Sequence, residues 1–188
     1  MAVLAAGSSR RFGDQDKLAQ PFRGKRLGER ICEAAPMDRL APGGAVVIAS
    51  RADHPCRPAW EKAGFEIAVN TRADRGMGTS VALAADLAQQ AKSDALLIAL
   101  ADMPMVPISH LTALIDACHA SDDNVCSSDG HRRTPPAIFG RDHFSTLAAL
   151  SEDVGARPLL QRARTIACPP GWLIDIDTPE ALRRLSQR

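Results

Sequence analysis

Four short apolar runs recur along the first hundred residues, and segments with helical periodicity separate them. The runs span residues 1–6, 45–49, 65–69 and 95–101. Strands that alternate with helices in this way are typical of a mainly parallel sheet, because each parallel crossover needs a connection long enough to hold a helix. We therefore expect an α/β fold of three layers, in which helices cover both faces of the sheet.

Two segments show the clearest helical spacing of apolar residues. One stripe is formed by Leu83, Ala84, Leu87, Ala88 and Ala91, and the other by Leu111, Leu114, Ile115 and Cys118. Further helices are predicted over residues 27–35, 58–63, 142–150 and 157–164. Because Cys118 ends an apolar stripe, we expect it to be a core residue.

The length and charge of the chain restrict its class. A chain of 188 residues can bury a proper core, so we expect one domain over residues 1–188. The formal net charge of +1 favours neither nucleic acid nor an anionic membrane as a partner. No apolar run approaches the ~20 residues that span a bilayer, and the first residues lack the flanks of a signal peptide. We expect a cytoplasmic protein.

The cysteines and histidines do not predict a metal centre. Five cysteines are scattered without a Cys-x-x-Cys pair, at positions 32, 56, 118, 126 and 168, and five histidines are equally dispersed. This pattern suits neither a disulfide framework nor a zinc site, so we expect reduced, mostly structural thiols.

The first apolar run leads into a small, polar and basic loop over residues 7–17. Gly7 and Gly13 allow close approach of the backbone to a ligand, Ser8 and Ser9 add donors, and Arg10, Arg11 and Lys17 add positive charge. The loop has neither Walker nor dinucleotide-binding spacing. It is either a phosphate-binding loop or an ordinary turn with solvated arginines.

Acidic residues follow two apolar segments. Asp102 comes directly after the run 95–101, where ligands bind in open α/β sheets, although it could equally be a capping residue. A short strand over residues 172–175 is predicted to place Asp175 and Asp177 on one side. Thr178 then forms a helix N-cap, with Pro179 at the first helical position.

Two further loops lie between these motifs. In residues 70–80, Gly76 and Gly78 could bring backbone groups near a base, with Thr79 or Ser80 as donors and as the helix cap; the alternative is a plain helix-entry loop. Residues 127–133 predict a turn between two short strands. Because Pro135 and Pro136 cannot both join a central ladder, we expect this run at a sheet edge or on the rim of a cleft.

Several of these motifs together resemble a known family. Residues 4–13 follow the order Leu-Ala-Ala-Gly-x-Ser-x-Arg-x-Gly, with Lys17 beyond them; residues 100–106 are Leu-Ala-Asp-Met-Pro-x-Val; and residues 175–180 are Asp-Ile-Asp-Thr-Pro-Glu. Residues 152–160 resemble the family's Gly-Asp-x-Gly-Ala-Arg segment, with Glu152 in place of its glycine. The chain thus resembles the MobA-like NTP transferases of molybdenum cofactor synthesis, within the nucleotide-diphospho-sugar transferase superfamily.

The resemblance implies a Rossmann-like, GT-A-like nucleotidyltransferase fold and a set of site residues. Arg11, Lys17 and Asp102 would be catalytic, and Asp102 and Asp177 would hold Mg²⁺, with Asp177 preferred to Asp175. The residues implied in nucleotide binding are Leu4, Ala5, Ala6, Gly7, Ser9, Arg11, Lys17, Asn70, Gly76, Gly78 and Ser80. Arg157 and the segment around Phe139 would lie on the acceptor side.

The reaction implied is transfer of CMP from CTP to molybdopterin cofactor with release of pyrophosphate. The motifs Leu-Ala-Ala-Gly and Gly-Met-Gly-x-Ser resemble the cytidylyl branch more than the guanylyl branch. A molybdoenzyme or its chaperone would be the protein partner. Two alternatives remain at this point: a guanylyl- or other nucleotidyltransferase with a different phosphorylated acceptor, and a non-catalytic, nucleotide-binding regulatory module.

Overall fold

A computed structural model describes residues 1–7, 10–13, 15–151 and 156–187. Seven strands form one sheet: β1 Ala2–Ala5, β4 Val46–Ala49, β5 Glu66–Val69, β6 Ala95–Leu100, β7 Asn124–Ser128, β8 Arg133–Gly140 and β9 Arg164–Ala167. A separate hairpin joins β2 Pro21–Phe22 to β3 Lys25–Arg26. The order in the large sheet is β5-β4-β1-β6-β8-β7-β9. β8 is antiparallel to its neighbours β6 and β7, and every other pairing in this sheet is parallel.

Within these ranges, seven α-helices surround the sheet. They are α1 Arg30–Glu33, α2 Arg57–Lys62, α3 Met77–Gln90, α4 Ile108–Asp116, α5 Phe144–Ala148, α6 Arg157–Arg162 and α7 Pro179–Ser186. Side chains of β1 alternate between two cores: Val3 and Ala5 pack into one, and Ala2 and Leu4 into the other. Since the two cores lie on opposite faces of the sheet, the predicted three-layer α/β fold is confirmed.

The register of the parallel strands positions the site. β1 pairs with β4 on one side and β6 on the other, so Leu4 lies opposite Ile48 and Leu100. These strands run in the same direction, and their carboxyl ends meet at one edge of the sheet. The loops after β1 and β6, which carry Lys17 and Asp102, therefore begin side by side.

Most predicted elements of the first 120 residues occur within a few residues of their expected bounds, whereas one later helix is shorter than predicted and one predicted strand is wrong. The helix expected over 157–164 ends at Arg162, and β9 begins at Arg164 as an edge strand parallel to β7. The strand expected over 172–175 is a 3₁₀ turn, Pro170–Leu173. Pro169 and Pro170 lack the N–H groups that a strand would use, and the Trp172 N–H instead donates to the Pro169 carbonyl within the turn. Beyond the turn, the Ile176 N–H donates to the Asp102 carbonyl.

The proline-containing strand β8 also differs from the prediction, because it lies inside the sheet between β6 and β7. Its register shifts between Cys126 and Ser127 of β7, whose partners are Ala137 and Thr134. Pro135 and Pro136 fall in this bulge and outside the ladder pairs, which is how an interior strand accommodates them. Pro135 does line a cleft, as predicted.

The thiols are free, as predicted, but Cys118 is not a fully buried core residue. Cys32, Cys56 and Cys126 are buried, whereas Cys118 and Cys168 are half-buried. α4 ends at Asp116, before the predicted stripe is complete, so Cys118 only packs against the core margin. No helix in the described part of the chain is long and apolar enough to cross a membrane.

Candidate functional site

A cleft of about 290 Å³ opens at the carboxyl ends of β1 and β6, and we call it the charged cleft. Residues 4–7 and Leu100 form its wall at the sheet edge. The other lining residues are Lys17, Leu18, Ala73, Asp74, Gly76, Met77, Ser80, Asp102 and Asp177. A cleft beyond the carboxyl ends of parallel strands is the usual ligand site of an open α/β sheet.

Lys17 is the centre of the charged cleft. It begins a 3₁₀ turn, Lys17–Ala19. Its Nζ lies 2.7 Å from Asp102 Oδ2 and 2.9 Å from Asp177 Oδ1, and its side chain is only 12% exposed. Burial lowers the pKa of Lys17, but the two carboxylates outweigh that effect and leave the pKa above its ordinary value. Lys17 is therefore a stable, positioned cation.

Asp102 is the most deeply placed acid of the cleft. Burial raises its pKa above the ordinary value of an aspartate, and the charge of Lys17 opposes part of that rise. Its Oδ2 accepts from Lys17, whereas its Oδ1 is buried and has no hydrogen-bond partner among the described residues. A buried carboxylate oxygen without a partner is costly, so this atom has an unused capacity to bind a cation.

The two aspartates of the C-terminal motif have different surroundings. Asp177 contacts Lys17 and also lies 3.3 Å from the Arg11 guanidinium, whereas Asp175 lies 3.9 Å from Arg132. The N–H of Ile176, between them, donates to the Asp102 carbonyl and so holds this segment against the loop after β6. Asp177, and not Asp175, therefore lies with Asp102 against the same cation, the Lys17 ammonium group.

The residues present fit a divalent metal ion bound mainly by substrate and water. Within the described ranges, no group of three or more His, Cys, Asp or Glu side chains could hold a metal ion. Asp102 and Asp177 nevertheless supply two carboxylates that converge on one positive charge, and Oδ1 of Asp102 has no hydrogen-bond partner in the part of the chain that the structure describes. Magnesium is commonly held by one or two carboxylates together with substrate phosphates.

The first glycine loop supplies an open approach for a ligand. A Cβ at Gly7 would meet no atom of the described residues within 4 Å, so the backbone here is accessible from the cleft. Leu4, Ala5 and Ala6 line the same wall. Ser9 lies outside the described residues, as do Ser8 and the segment 152–155 that includes Glu152 and Gly155.

The second glycine loop is organised by a buried amide. Asn70 Nδ2 donates to Thr79 Oγ1 at 2.8 Å and to Ser80 Oγ at 2.9 Å. Gly76, at φ 117°, lines the cleft together with Ser80, but Asn70 and Gly78 do not. The expected cap was wrong: Gly76 is the N-cap of α3, and Thr79 and Ser80 lie within the first turn, where Asn70 holds them.

A second, wider cleft of about 640 Å³ adjoins the first and shares Leu4, Met77 and Leu100 with it. We call it the arginine cleft. Its polar residues are Arg132, Arg133, Thr134, Arg157 and Asp175, and its apolar residues include Val81, Ile98, Pro135, Ala137, Phe139 and Leu160. Among the described residues that line it, three arginines against one aspartate give this cleft an excess of positive charge.

Comparisons with known proteins agree with this architecture. The family model described as "MobA-like NTP transferase domain" matches residues 1–166. The chain belongs to this family. A curated relative, the purine catabolism protein PucB of Bacillus subtilis, is 33% identical over an alignment of 192 positions that covers 94% of this chain and 90% of PucB. The reaction class of this MobA-like chain is therefore nucleotidyl transfer.

Solved structures show the same fold. Rv0371c of Mycobacterium tuberculosis H37Rv matches with a TM-score of 0.79 and 26% identity, over 100% of this chain and 96% of that one. A structure of Rv0371c in complex with manganese matches with a TM-score of 0.69 and 22% identity, over 99% and 96% of the two chains.

The structure brings together most of the residues predicted for the site of this MobA-like protein. Those that line the charged cleft are Leu4, Ala5, Ala6, Gly7, Lys17, Gly76, Ser80, Asp102 and Asp177. Arg11 contacts its margin through Asp177. Sequence reasoning missed Leu18, Ala73, Asp74, Met77 and Leu100. Of these, Leu18 directly follows Lys17 and Met77 directly follows Gly76. Their positions next to predicted site residues are the only signal in the sequence that could have identified them.

Proposed function

We propose that this chain is a magnesium-dependent nucleotidyltransferase that transfers CMP from CTP to molybdopterin cofactor and releases pyrophosphate. One observation carries the proposal: the Lys17 ammonium group lies between the carboxylates of Asp102 and Asp177 at the end of an open glycine loop. Membership in the MobA-like NTP transferase family supports the same chemistry.

Lys17 and Arg11 supply the positive charge that this transfer needs. A phosphate oxygen of the acceptor attacks the α-phosphorus, and the bond from that phosphorus to the departing pyrophosphate breaks. Negative charge then develops on the pyrophosphate, and positioned cations stabilise it. Lys17 is buried in the cleft, while Arg11, whose side chain is 70% exposed, extends at its open side. The two residues would therefore contact the triphosphate from different directions.

Asp102 and Asp177 would hold the magnesium ion. When bound, the cation neutralises charge on the triphosphate. The convergence of two carboxylates and the partnerless Oδ1 of Asp102 support these residues as its protein ligands. Rv0371c, which has the same fold, forms a complex with manganese, and this supports a divalent ion as the cofactor of this chain.

Ser80 offers a donor for a pyrimidine base. Its Oγ accepts from Asn70, and within the described residues its own hydroxyl hydrogen has no acceptor. Ser80 lines the charged cleft next to Gly76, where the backbone approaches closely. A hydroxyl donor in a narrow cleft suits the carbonyl of cytosine, so we favour CTP over the purine nucleotides.

The arginine cleft would receive the acceptor. It adjoins the charged cleft, and its positive charge at Arg132, Arg133 and Arg157 suits a phosphorylated molecule. Its apolar wall, which includes Phe139, suits a bulky ring system such as that of molybdopterin. A molybdoenzyme or its chaperone would then take the product.

Two alternative functions of the site make different predictions. A guanylyl- or other nucleotidyltransferase would use the same lysine and aspartates with another base or phosphorylated acceptor. A non-catalytic regulatory module would bind nucleotide without turnover, and the paired aspartates around Lys17 count against it because simple nucleotide binding does not require them.

Pyrophosphate release from each of the four ribonucleoside triphosphates, with and without molybdopterin cofactor, tests the proposal. We expect release with CTP only when the acceptor is present. Asp102→Asn should lower the release by about 10²–10³-fold, whereas Asp116→Asn, at a surface acid that pairs with Arg39, should leave it unchanged. A preference for GTP or ATP would move the chain to another branch. Nucleotide binding without release under any condition would favour the regulatory module.

A further inference from the structure

Asp16, the residue before Lys17, connects the Lys17 turn to the rest of the protein. It is the N-cap of the turn, and its Oδ1 accepts from the Leu18 N–H at 3.0 Å. Its Oδ2 lies 3.0 Å from His54 Nε2 and 3.4 Å from the Arg51 guanidinium. Asp16 does not line either cleft, so its contacts hold the turn and do not reach a ligand directly.

The hydrogen bonds of His54 determine which ring nitrogen carries the proton. Nδ1 accepts from the Cys56 N–H at 3.1 Å, so in the neutral ring the hydrogen lies on Nε2. Nε2 therefore donates to Asp16 Oδ2. With both ring nitrogens used, His54 has one orientation that satisfies its contacts.

A rigid support holds the His54 ring in place. The ring is buried and stacks on Trp60, with 4.6 Å between the ring centroids. Trp60 is fully buried and donates from Nε1 to the Gly28 carbonyl at 2.7 Å. Cys56, two residues after His54, donates from Sγ to the Leu18 carbonyl. The loop between β4 and α2 thus contacts the Lys17 turn at two residues, Asp16 and Leu18.

We propose that Asp16 and His54 are positioning residues for Lys17, which hold its turn so that the ammonium group lies between Asp102 and Asp177. This inference rests on the proposed function, because the value of that position is transfer from a nucleoside triphosphate. The physical reason is that Lys17 has a long, flexible side chain, so its two carboxylate contacts fix the position of its charge accurately only when the backbone of the turn is also held. Small displacements of a catalytic group are costly to rate.

Two substitutions at His54 separate its two hydrogen bonds. His54→Asn keeps an oxygen acceptor for the Cys56 N–H, two residues further along the chain, but its side chain is too short to reach Asp16. His54→Gln places an amide nitrogen near the position of Nε2 and can restore the bond to Asp16. Asp16→Asn breaks the same bond from the other side while keeping an acceptor for the Leu18 N–H. Asp53→Asn, in the same loop and 82% exposed, is the matched control.

Turnover with CTP and Mg²⁺ provides the first measurement. We expect kcat/KM to fall about tenfold or more in His54→Asn and Asp16→Asn, with a larger change in kcat than in KM. His54→Gln should recover most of the loss, and Asp53→Asn should match the wild type. Melting temperatures identify any variant that has lost its fold, and Asp16→Asn serves where His54→Asn is unstable.

Chemical labelling of lysines with an amine-reactive ester provides a second measurement that needs no turnover. Lys25 lies at the surface and serves as an internal reference. The ratio of Lys17 to Lys25 labelling should rise in His54→Asn and Asp16→Asn and stay low in His54→Gln. An unchanged ratio in folded His54→Asn and Asp16→Asn would overturn the positioning role. Absence of pyrophosphate release from the wild type would instead overturn the proposed function, while the ratio would still decide the role of Asp16 and His54.

Discussion

The charged cleft and the arginine cleft share a wall but differ in how their charges are arranged. In the charged cleft, of about 290 Å³, Lys17 Nζ contacts two carboxylates within 2.9 Å. In the arginine cleft, which has about twice the volume, arginines surround an apolar wall that includes Phe139. Opposite charges converge in the first cleft, whereas positive charge is distributed over the second.

This difference indicates a division of labour between the two clefts. Converging charges in a confined cleft are suited to one reaction centre, because positioned charges stabilise a transition state without reorganising. Distributed arginines on an apolar wall are suited to holding a large anionic molecule in one orientation. Variants of the charged cleft should therefore lower kcat, and variants of the arginine cleft should raise the KM of the acceptor.

The largest effect is expected from Asp102→Asn. This substitution removes the deepest carboxylate of the charged cleft and should lower kcat/KM by about 10²–10³-fold. Asn has nearly the same shape, and Lys17 keeps its contact with Asp177, so the fold should be retained. Pyrophosphate release and thermal unfolding check the two expectations. Wild-type turnover in the variant would exclude Asp102 from the reaction centre.

A comparison of Lys17→Met with Arg11→Gln tests whether burial determines the importance of a cation. Lys17 is 12% exposed and Arg11 is 70% exposed, so we expect about 3 kcal/mol of lost transition-state stabilisation for Lys17→Met and about 1.5 kcal/mol for Arg11→Gln. Values of kcat/KM for the nucleotide measure both, and calorimetry follows its binding. Equal losses at the two positions would contradict the ranking, and nucleotide binding unaffected by either would make the loop a structural turn.

Arg157→Gln addresses the arginine cleft. Loss of one charge-assisted contact should raise the KM of the phosphorylated acceptor about tenfold, with nucleotide binding unchanged. Arg141→Gln, at a surface position that pairs with Asp94, is the control. Steady-state kinetics with varied acceptor provide the measurement. A raised KM for CTP instead would mean that the two clefts do not divide the substrates as proposed.

The smallest expected effect is a pH dependence of the free energy of unfolding. It arises from the hydrogen bond between His54 and Asp16, which holds the Lys17 turn. The hydrogen bond from His54 is the main cause that lowers the pKa of Asp16 from 3.8 to about 2. A pKa lowered by folding stabilises the protein above the unfolded value, and this contribution is lost as pH falls from about 4 towards 2.

The wild type should therefore exceed Asp16→Asn in unfolding free energy by about 1 kcal/mol at neutral pH, since Asp16 is partly exposed to solvent. The difference should vanish near pH 2. Denaturant unfolding of both proteins at several pH values measures it, and a difference that persists unchanged at pH 2 would contradict the assigned bond.

Local sequence patterns correctly predicted the buried strands and a helix N-cap, because burial and capping depend on short stretches of sequence. The runs that became β1, β4 and β6 are apolar because both faces of these strands are covered, and that composition is visible without a structure. The sequence also predicted Thr178 as a helix N-cap, and its Oγ1 accepts from the Ala181 N–H as expected. β9 was missed because three of its four residues are exposed and it lies at an edge, so its composition carries no burial pattern.

The residue types of the candidate site were also determined by the sequence: a glycine loop with Lys17, and acids at two segment ends. Only the tertiary structure decided how they combine. It placed Asp177 on Lys17 and Asp175 towards Arg132, it gave Asn70 a supporting role behind Ser80, and it joined Asp16 to His54 across 38 positions of the chain. Sequence patterns report which residues are buried or capped locally, whereas contacts between loops of different strands depend on sheet order and register, which no local pattern contains.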